Sequence, residues 1–537
     1  MLNTDIDLLE SVDSRYQNIS VAYRDGQFCI YGNGQYITSF PKEYRSAGFG
    51  HLVLLEHPCP KEVLLIGGGL SGVIREMLKH PITELHYVEL DPKLLEIIKK
   101  YLPLKDKEAL VDERVRVFNT DGRHFIKESK YTYDIIVLNL PDPSTALVNR
   151  FYTTDFFKEA VRILNKDGVF VTGVSSASNY IGDQTGDYSG SVYHSLCSVF
   201  PFVLVTPGER NSFFASSSPN IISSDIKVLS ARYDDRHIES QYFSGYHLRM
   251  LLPPDRVRFI EKKLKKKRDV PLNTDKRPIT YFYNLILWDV FSKEKGGLSF
   301  FQVLDKINPT WFIIPLVIFL IIRIIYITIR RESLRKDLRF NCLLAIGTTG
   351  FAGMSLEITL IFALQNIYGY VYHMIGLIVA GFMAGLALGG WAANNMIHVK
   401  DRNFVKLLTV FEISLALYAL FLPYIFEWCF YGESQNKASL FYSEYLFFSL
   451  IGLAGLLTGL QFPLICKILL TLGDDPGKIS GSVDSLDHLG AFTGALLTGT
   501  VFLPLLGIDQ TCLLTAVINL VSVILLIIYM FHDSFIE

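Results

Sequence analysis

The sequence has few cysteines and almost no net charge, and each shortage excludes a class of protein. Seven cysteines are spread over 537 residues, and neither a CxxC pair nor the Cys/His spacing of zinc sites occurs. Neither a disulfide framework nor a metal centre is therefore expected. The formal net charge of −2 gives no overall field that would attract a nucleic acid, so no nucleic-acid partner is expected.

A signal peptide is also missing, whereas long apolar runs are present. The start, MLNTDIDLLESVDSRYQ, lacks the basic residues and the apolar centre of a signal peptide. From about residue 310, apolar runs of about 20 residues are long enough to cross a bilayer. We expect a soluble, cytoplasmic domain followed by six or seven transmembrane helices over 310–537, in a multi-pass protein of the cell inner membrane. The runs cover 311–329, 341–363, 368–396, 405–426, 441–472, 486–506 and 511–531.

The basic loops give a conflicting indication of topology. Positive residues favour the cytoplasmic side, and the most basic short loops lie at 330–339 and 398–406. A spanning segment 311–329 would then place the soluble domain outside the cell. The two indications agree if 311–329, which carries Arg323, lies at the interface or enters the bilayer as a partial hairpin.

Several ionisable residues fall within or beside the apolar runs. Because a charge in lipid is costly, such residues are expected to face a helix bundle or a cavity. Positions at helix ends or at the membrane interface and a transport or relay role both remain open for them. The residues are Glu357, His373, Glu412, Asp487 and His488.

The first 300 residues have the pattern of an α/β domain. The turns in YRDGQF and YGNGQY predict an N-terminal β-hairpin module over residues 1–60. Strands then alternate with helical stretches over 61–300, which predicts a Rossmann-like, methyltransferase-type parallel sheet with helices on both faces. The predicted strands are EVLLIGG, ELHYVEL, VRVFNTD, YDIIVLNL and GVFVTGV.

The ends of three predicted strands form a nucleoside site. Segment 63–72, VLLIGGGLSG, ends a strand in glycines that allow a tight turn and close approach to a ligand. Glu89, at the tip of the second strand, is placed to accept both ribose hydroxyls. Asp121-Gly122, at the tip of the third, is placed to accept a bond from the adenine amino group. A sulfonium nucleoside fits better than NAD because the turn lacks a spaced GxGxxG. The turn glycines are Gly67, Gly68, Gly69 and Gly72.

A fourth turn carries the residues expected at the reacting end of that nucleoside. Segment 135–143, IIVLNLPDP, ends a buried strand in Asn139 and Asp142. A carboxylate can take a proton from an attacking amine. Asn139 can accept a hydrogen bond but holds no charge, so it cannot take that proton. Both residues are predicted catalytic positions, with Asp142 the one acid.

With these motifs, residues 10–288 resemble the spermidine synthase (aminopropyltransferase) family. ESVDSRYQNI, the glycine turn, VELD, TDGR, the PDP turn with FYTTDFF, and NTDKRPITYFYNL follow the family's order. The helices that include GFAGMSLEITLIFALQNIYGY are similar to those of bacterial membrane-fused forms. The resemblance implies decarboxylated S-adenosylmethionine as the donor, putrescine or another small amine as the acceptor, and a homodimer. It also implies that Gln17 contacts the donor, His51 lies beside the polyamine pocket and Asp142 binds the acceptor amine.

Two acids of the family pattern are replaced. Leu70 stands in GGGLSG where the family usually has an acid, and Asn139 replaces the first acid of the active turn. Fewer carboxylates near the donor's tail would make the site more tolerant of ordinary S-adenosylmethionine. Three hypotheses follow: aminopropyl transfer with Asp142 or water as the base, methyl transfer from S-adenosylmethionine, and a nucleoside- or polyamine-binding regulator of a membrane transporter.

Overall fold

The computed structural model describes most of the chain as two compact units. The described residues are 7–177, 182–292, 304, 310–330, 334–369, 372–397, 403–430, 437–473 and 475–534. The first unit is Met1–Gly297 with Tyr368–Tyr370, and the second is Leu298–Ile367 with Val371–Glu537.

The first unit begins with a four-stranded antiparallel sheet. Its strands pair in chain order. Asp25 and Gly26 (φ 51° and 83°) and Asn33 and Gly34 (φ 49° and 77°) form the tight turns after β2 and β3, as the two predicted hairpins require. The strands are β1 (Asp7–Asp13), β2 (Asn18–Arg24), β3 (Gln27–Gly32) and β4 (Gln35–Phe40).

A seven-stranded sheet follows, in the order β10-β11-β9-β8-β5-β6-β7. Strands β5 to β9 pair in parallel, and all five were predicted. The antiparallel pair β10 and β11, which extends the sheet beside β9, was not predicted. The strands are β5 (Glu62–Ile66), β6 (Glu84–Glu89), β7 (Val115–Asn119), β8 (Tyr133–Leu138), β9 (Leu164–Ser175), β10 (Phe202–Val205) and β11 (Arg210–Ser216).

Helices flank this sheet and bury its central strands. Val63 to Leu65 and Ile135 to Val137 are fully buried, as expected for parallel strands covered on both faces. The helices are α1 (Glu43–Leu55), α2 (Val73–Met77), α3 (Pro92–Tyr101), α4 (Leu104–Ala109), α5 (Gly122–Glu128), α6 (Ala146–Asn149), α7 (Thr154–Arg162), α8 (Asp183–Cys197), α9 (Ile226–Asp235), α10 (Gly245–Leu251), α11 (Pro254–Lys266) and α12 (Ile279–Ser292).

The second unit, in its described part, is a bundle of helices. Six stretches are long and apolar enough to cross a membrane, and the last of them, Pro476–Phe531, includes two helices. Arg323, within the first, forms an ion pair of 2.7 Å with Asp337. The helices are α13 (Thr310–Arg330), α14 (Leu334–Tyr368), α15 (Tyr372–Ile397), α16 (Phe404–Phe430), α17 (Lys437–Gly459), α18 (Gln461–Thr471), α19 (Pro476–Leu497) and α20 (Gly507–Ser534), with a π-helix at Thr498–Leu506.

The ionisable residues of this bundle differ in exposure. Glu357 and Glu412 are 4% and 0% exposed. Asp487 is half-buried, whereas His488 is exposed. The side chain of His373 lies outside the described part of the chain. The expected interior position therefore holds for the two glutamates.

Closely spaced glycines let α15 and α17 pack backbone against backbone. A Cβ atom on Gly455 would overlap the carbonyl group of Phe382, and one on Gly385 would overlap that of Gly452. Small residues at such positions allow close approach of membrane helices. The four-residue glycine spacing in the sequence predicts this kind of contact.

Replacing Gly455 with alanine should therefore destabilise the bundle by about 1–3 kcal/mol, because the backbones must move apart. Gly452 is the matched control on the same helix, since a Cβ there meets no atom within 4 Å. Thermal unfolding of the detergent-solubilised protein measures both. Equal melting temperatures for Gly455→Ala and Gly452→Ala would contradict the packing argument.

Candidate functional site

The glycine turn after β5 packs directly against the turn after β8. Gly67 and Gly68 have φ values of 69° and 63°, which favour glycine. The Nδ2 atom of Asn139 donates to the carbonyl oxygen of Gly68 at 3.2 Å. A Cβ atom on Gly68 would overlap the Asn139 side chain. Asn139 is thus bound to the glycine turn.

Glu89 ends β6 beside this turn. The backbone N–H of Gly67 donates to the carbonyl oxygen of Val88 at 2.9 Å, which fixes the two strand tips together. The Tyr87 hydroxyl donates to Glu89 Oε2 at 2.8 Å. Burial raises the pKa of the Glu89 carboxyl, and the Tyr87 hydrogen bond opposes this rise. The half-buried carboxylate also accepts hydrogen bonds from the backbone of Leu90 and Asp91, and its two oxygens keep acceptor capacity for a ligand.

The N-terminal sheet reaches the same strand tip. Gln17 Nε2 donates to Asp91 Oδ2 at 3.3 Å, and Ser14 Oγ donates to the same oxygen at 2.6 Å. Asp91 lies two residues after Glu89 and caps α3 by accepting from the Lys93 N–H at 3.0 Å. These bonds bring Gln17 to the segment that carries Glu89.

Asp121 and Gly122 follow β7. The Asp121 carboxylate caps α5 by accepting from the N–H groups of Arg123 and His124 at 3.1 and 3.0 Å, and it forms an ion pair with Arg150. Burial alone would raise the pKa of Asp121, but Arg150 and the cap outweigh burial and hold it below its usual value. A Cβ atom on Gly122 would lie 2.6 Å from the Ile66 side chain, so only glycine fits against the end of β5.

The turn that carries Asp142 contacts a positively charged side chain, that of Arg210. Arg210, at the start of β11, lies 3.2 Å from Asp142 Oδ1, which also accepts from the Ser175 N–H at 3.0 Å. Arg210 also donates to the carbonyl oxygens of Leu140 and Gly173, at 2.9 and 2.5 Å. The Arg210 side chain is 36% exposed and that of Asp142 14%.

A buried tyrosine supports the same turn. The Tyr152 hydroxyl donates to the carbonyl oxygen of Pro141 at 2.9 Å. Burial is the main reason that the pKa of Tyr152 is raised, to about 12. The tyrosine therefore remains a neutral donor that fixes the backbone around Asp142.

Comparisons with known proteins identify the family of this chain. Residues 44–189 match the family described as Spermine/spermidine synthase domain. The polyamine aminopropyltransferase of Caldicellulosiruptor saccharolyticus is 36% identical over 206 residues, which cover 36% of this chain and 72% of that protein. The chain belongs to the polyamine aminopropyltransferase family. The Caldicellulosiruptor bescii aminopropyltransferase is 41% identical over the same shares of both chains. A spermidine synthase solved with the transition-state analogue AdoDATO is 22% identical, with a TM-score of 0.41, over 48% of this chain and 89% of that chain.

The role expected for His51 does not fit its place in the structure. His51 is 0% exposed, and its ring packs against those of Phe243 and Tyr233. Its Nε2 atom lies 3.1 Å from Glu76 Oε2 and its Nδ1 atom 2.9 Å from His80 Nε2. Both ring nitrogens are thus used inside the core, so we do not retain His51 as a substrate-binding residue.

A single proton arrangement satisfies this buried network. Arg236 can only donate, so His80 Nδ1 accepts from it at 2.8 Å. His80 Nε2–H then donates to His51, and His51 Nε2–H donates to Glu76. Burial lowers the pKa of His51, and burial with the neighbouring positive charges lowers that of His80 to about 2. Both rings are therefore neutral.

Acidification should destabilise the first unit through this network. The His80 side chain has an ordinary pKa of 6.5, so the unfolded chain takes up a proton below this pH while the folded chain does not. Stability is present above pH 6.5 and falls as the pH decreases, by about 2 kcal/mol for one such histidine between about pH 7 and pH 5. Calorimetric unfolding of His80→Asn should show a smaller pH dependence than wild type. The exposed His124→Asn variant is the control, and an unchanged slope in His80→Asn would refute the assignment.

Leu70, the residue predicted to replace an acid of the family pattern, lies in the hydrophobic core. Its side chain is 4% exposed and belongs to the core cluster with Val73 and Ile74. It therefore contributes to the packing of this domain.

Sequence reasoning missed the residues that neutralise and support the strand-tip acids. Arg150 follows α6, the short helix after the PDP turn, and Tyr152 lies between α6 and α7. Arg210 lies at the start of β11, a strand that was not predicted. Basic residues near strand tips were the available signal, but the pairing of β11 with β9 is needed to place Arg210 at Asp142.

Proposed function

We propose that the protein transfers an aminopropyl group from decarboxylated S-adenosylmethionine to a small amine such as putrescine. The proposal rests on one observation: the glycine turn, Glu89 and Asp121 all lie at strand ends along one edge of the sheet. Membership of the aminopropyltransferase family supports it. The proposed donor contacts are Glu89 to the ribose, Asp121 and Gly122 to the adenine, and Gln17 beside them.

The proposed reaction takes place at the Asn139–Asp142 turn. The neutral amine attacks the carbon next to the sulfonium, a C–N bond forms, the C–S bond breaks, and methylthioadenosine leaves. The amine nitrogen then loses a proton. Asn139 cannot accept it, so Asp142 or water does. Arg210 contributes because a nearby cation disfavours a protonated amine and thereby increases the reactive, neutral fraction.

Arg210 also favours a second function, transfer from ordinary S-adenosylmethionine. That donor carries a carboxylate at the end where the decarboxylated donor has only an ammonium group. The positive charge of a guanidinium group attracts a carboxylate. A partly exposed arginine at the reacting end of the site would therefore hold the tail of ordinary S-adenosylmethionine.

We propose that this catalytic unit is attached to the inner membrane by the helices after residue 310, with the active site in the cytoplasm. Six sufficiently long apolar stretches support attachment. A homodimer, as the family resemblance implies, is part of the proposal.

Calorimetry on the detergent-purified protein tests the donor. Decarboxylated S-adenosylmethionine, S-adenosylmethionine and methylthioadenosine are titrated separately, and mass spectrometry then looks for aminopropylated or methylated putrescine. Tighter binding of the decarboxylated donor with spermidine formed is expected. Preference for S-adenosylmethionine would support the second function. Binding without product would support a nucleoside-binding regulator, and no binding would overturn the nucleoside site.

A further inference from the structure

Glu412, in the middle of α16, is a fully buried carboxyl group without a counter-ion. It is 0% exposed. Its Oε1 atom lies 3.0 Å from the Thr349 hydroxyl of α14, and its Oε2 atom has no hydrogen-bond partner. No lysine, arginine or histidine in the described ranges forms an ion pair with it. An ionised carboxylate in this position would have one hydrogen bond and no counter-charge to offset the free-energy cost of its burial.

The three oxygen atoms that contact Thr349 Oγ1 need two more protons than the Thr349 hydroxyl supplies. Thr349 Oγ1 lies 2.6 Å from Gln461 Oε1 and 2.8 Å from the carbonyl oxygen of Ala345, besides its contact with Glu412. A threonine hydroxyl has one proton to donate. Oxygen atoms this close to one another require a shared proton.

A proton on Glu412, together with rotation of the Gln461 amide by half a turn, resolves the shortage. The carboxyl O–H and an N–H of the rotated amide then donate to Thr349 Oγ1, and the Thr349 O–H donates to the carbonyl oxygen of Ala345. With the rotated amide alone, an ionised Glu412 would still have one hydrogen bond in total and its Oε2 none. The neutral carboxyl group is favoured with either orientation of the amide.

We propose that Glu412 is a proton-binding site inside the helix bundle, with Thr349 and Gln461 as its relay partners. This site is independent of the transfer reaction proposed for the first unit. Further pairs of hydroxyl groups lie along α14, so this helix makes several polar contacts inside the bundle. They are Thr348 with Ser522 at 2.7 Å, Ser355 with Thr515 at 2.9 Å, and Thr498 with Ser355 at 2.8 Å.

The helices packed against α16 bring no charge to Glu412 within the part of the chain that the structure describes. Glu357 on α14 is eight residues from Thr349, a rise of about 12 Å, and Lys467 on α18 is six residues from Gln461, a rise of about 9 Å. The remaining titratable groups on α14, α16, α17, α18 and α20 whose side chains are described are Arg335, Lys336, Asp337, Arg339, Cys342, Tyr368, Lys406, Tyr418, Tyr424, Glu427, Tyr445, Cys466, Asp509, Cys512 and Tyr529.

Infrared spectroscopy of the full-length protein in lipid nanodiscs tests the site. The signal is the C=O stretch of protonated carboxyl groups at neutral pH. Wild type should show a band that Glu412→Gln removes and Glu427→Gln retains, because Glu427 lies exposed on the same helix. In Thr349→Val the band should move to higher frequency, since its hydrogen bond is lost. Sodium chloride and putrescine should leave the band unchanged.

Each opposite outcome overturns the proposal. Identical spectra for wild type and Glu412→Gln would show that Glu412 is ionised at neutral pH. Loss of the band on adding sodium or putrescine would show a site for a metal cation or an amine instead of a proton. If Glu412→Gln fails to fold, Thr349→Val decides, because an unmoved band means that no such carboxyl group bonds to Thr349. The transfer assay is separate, so its failure would not affect this result.

Discussion

Replacing Glu89 with glutamine should weaken donor-nucleoside binding by roughly 10- to 100-fold. A carboxylate that accepts from ribose hydroxyls makes charge-assisted hydrogen bonds worth about 1.5–3 kcal/mol. The glutamine amide keeps an acceptor for the Tyr87 hydroxyl but loses the charge and one acceptor oxygen. Calorimetry with methylthioadenosine measures the change without requiring turnover, so the result does not depend on which group is transferred.

Glu84 provides the matched control for Glu89. It lies at the opposite end of β6, where it forms an ion pair with Arg116 at 2.8 Å and lies 3.1 Å from His86 Nε2. Glu84→Gln should bind the nucleoside as wild type does, while both variants keep their melting temperatures within a few degrees. If both bind equally well, or if both lose binding together, Glu89 has no specific part in nucleoside recognition.

The sheet and its glycine turn could be predicted because their signals are local. Runs such as VLLIGG and DIIVLNL, and turn residues such as Asn33-Gly34, specify strands and hairpins over a few neighbours. Glu89 and Asp121 could be placed at strand tips for the same reason. Parallel strands bring their carboxyl ends to one edge, so sequence order was enough.

The neutral state of His51 and the pairing of Asp142 could not be predicted, because both depend on residues distant in the sequence. His51 meets His80 across 29 positions, and Asp142 meets Arg210 across 68. A resemblance carries over residue types, but not the partners that this chain provides. Leu70 illustrates the same limit, since only the packing shows that its side chain belongs to the core.

The burial of the glutamates in the helix bundle could be predicted, but their hydrogen-bond partners could not. Because a charged side chain in lipid is costly in free energy, Glu357 and Glu412 are predicted to face the interior, and both are buried. The hydroxyl and amide beside Glu412 come from two other helices, α14 and α18. Helix periodicity gives no register between separate helices, so this cluster required the structure.

Arg210→Gln should shift donor preference toward decarboxylated S-adenosylmethionine by about tenfold. Two unit charges 4 Å apart near a protein surface interact by about 4 kcal/mol. Arg210 is 36% exposed, so solvent screening reduces this to about 1–2 kcal/mol. Removing the cation withdraws a partner from the carboxylate of ordinary S-adenosylmethionine, and it frees Asp142 for an ammonium group.

Two further variants separate charge from structural support. Arg210→Lys keeps the charge but loses the forked bonds to the carbonyl oxygens of Leu140 and Gly173, so it should retain the wild-type donor preference. Arg45→Gln removes an arginine that is 73% exposed and paired with Glu209, and it should change nothing. Competition calorimetry with the two donors measures the ratio. If Arg210→Gln and Arg210→Lys weaken both donors equally, Arg210 only braces the turn, and Asp142 must meet the acceptor amine by another route.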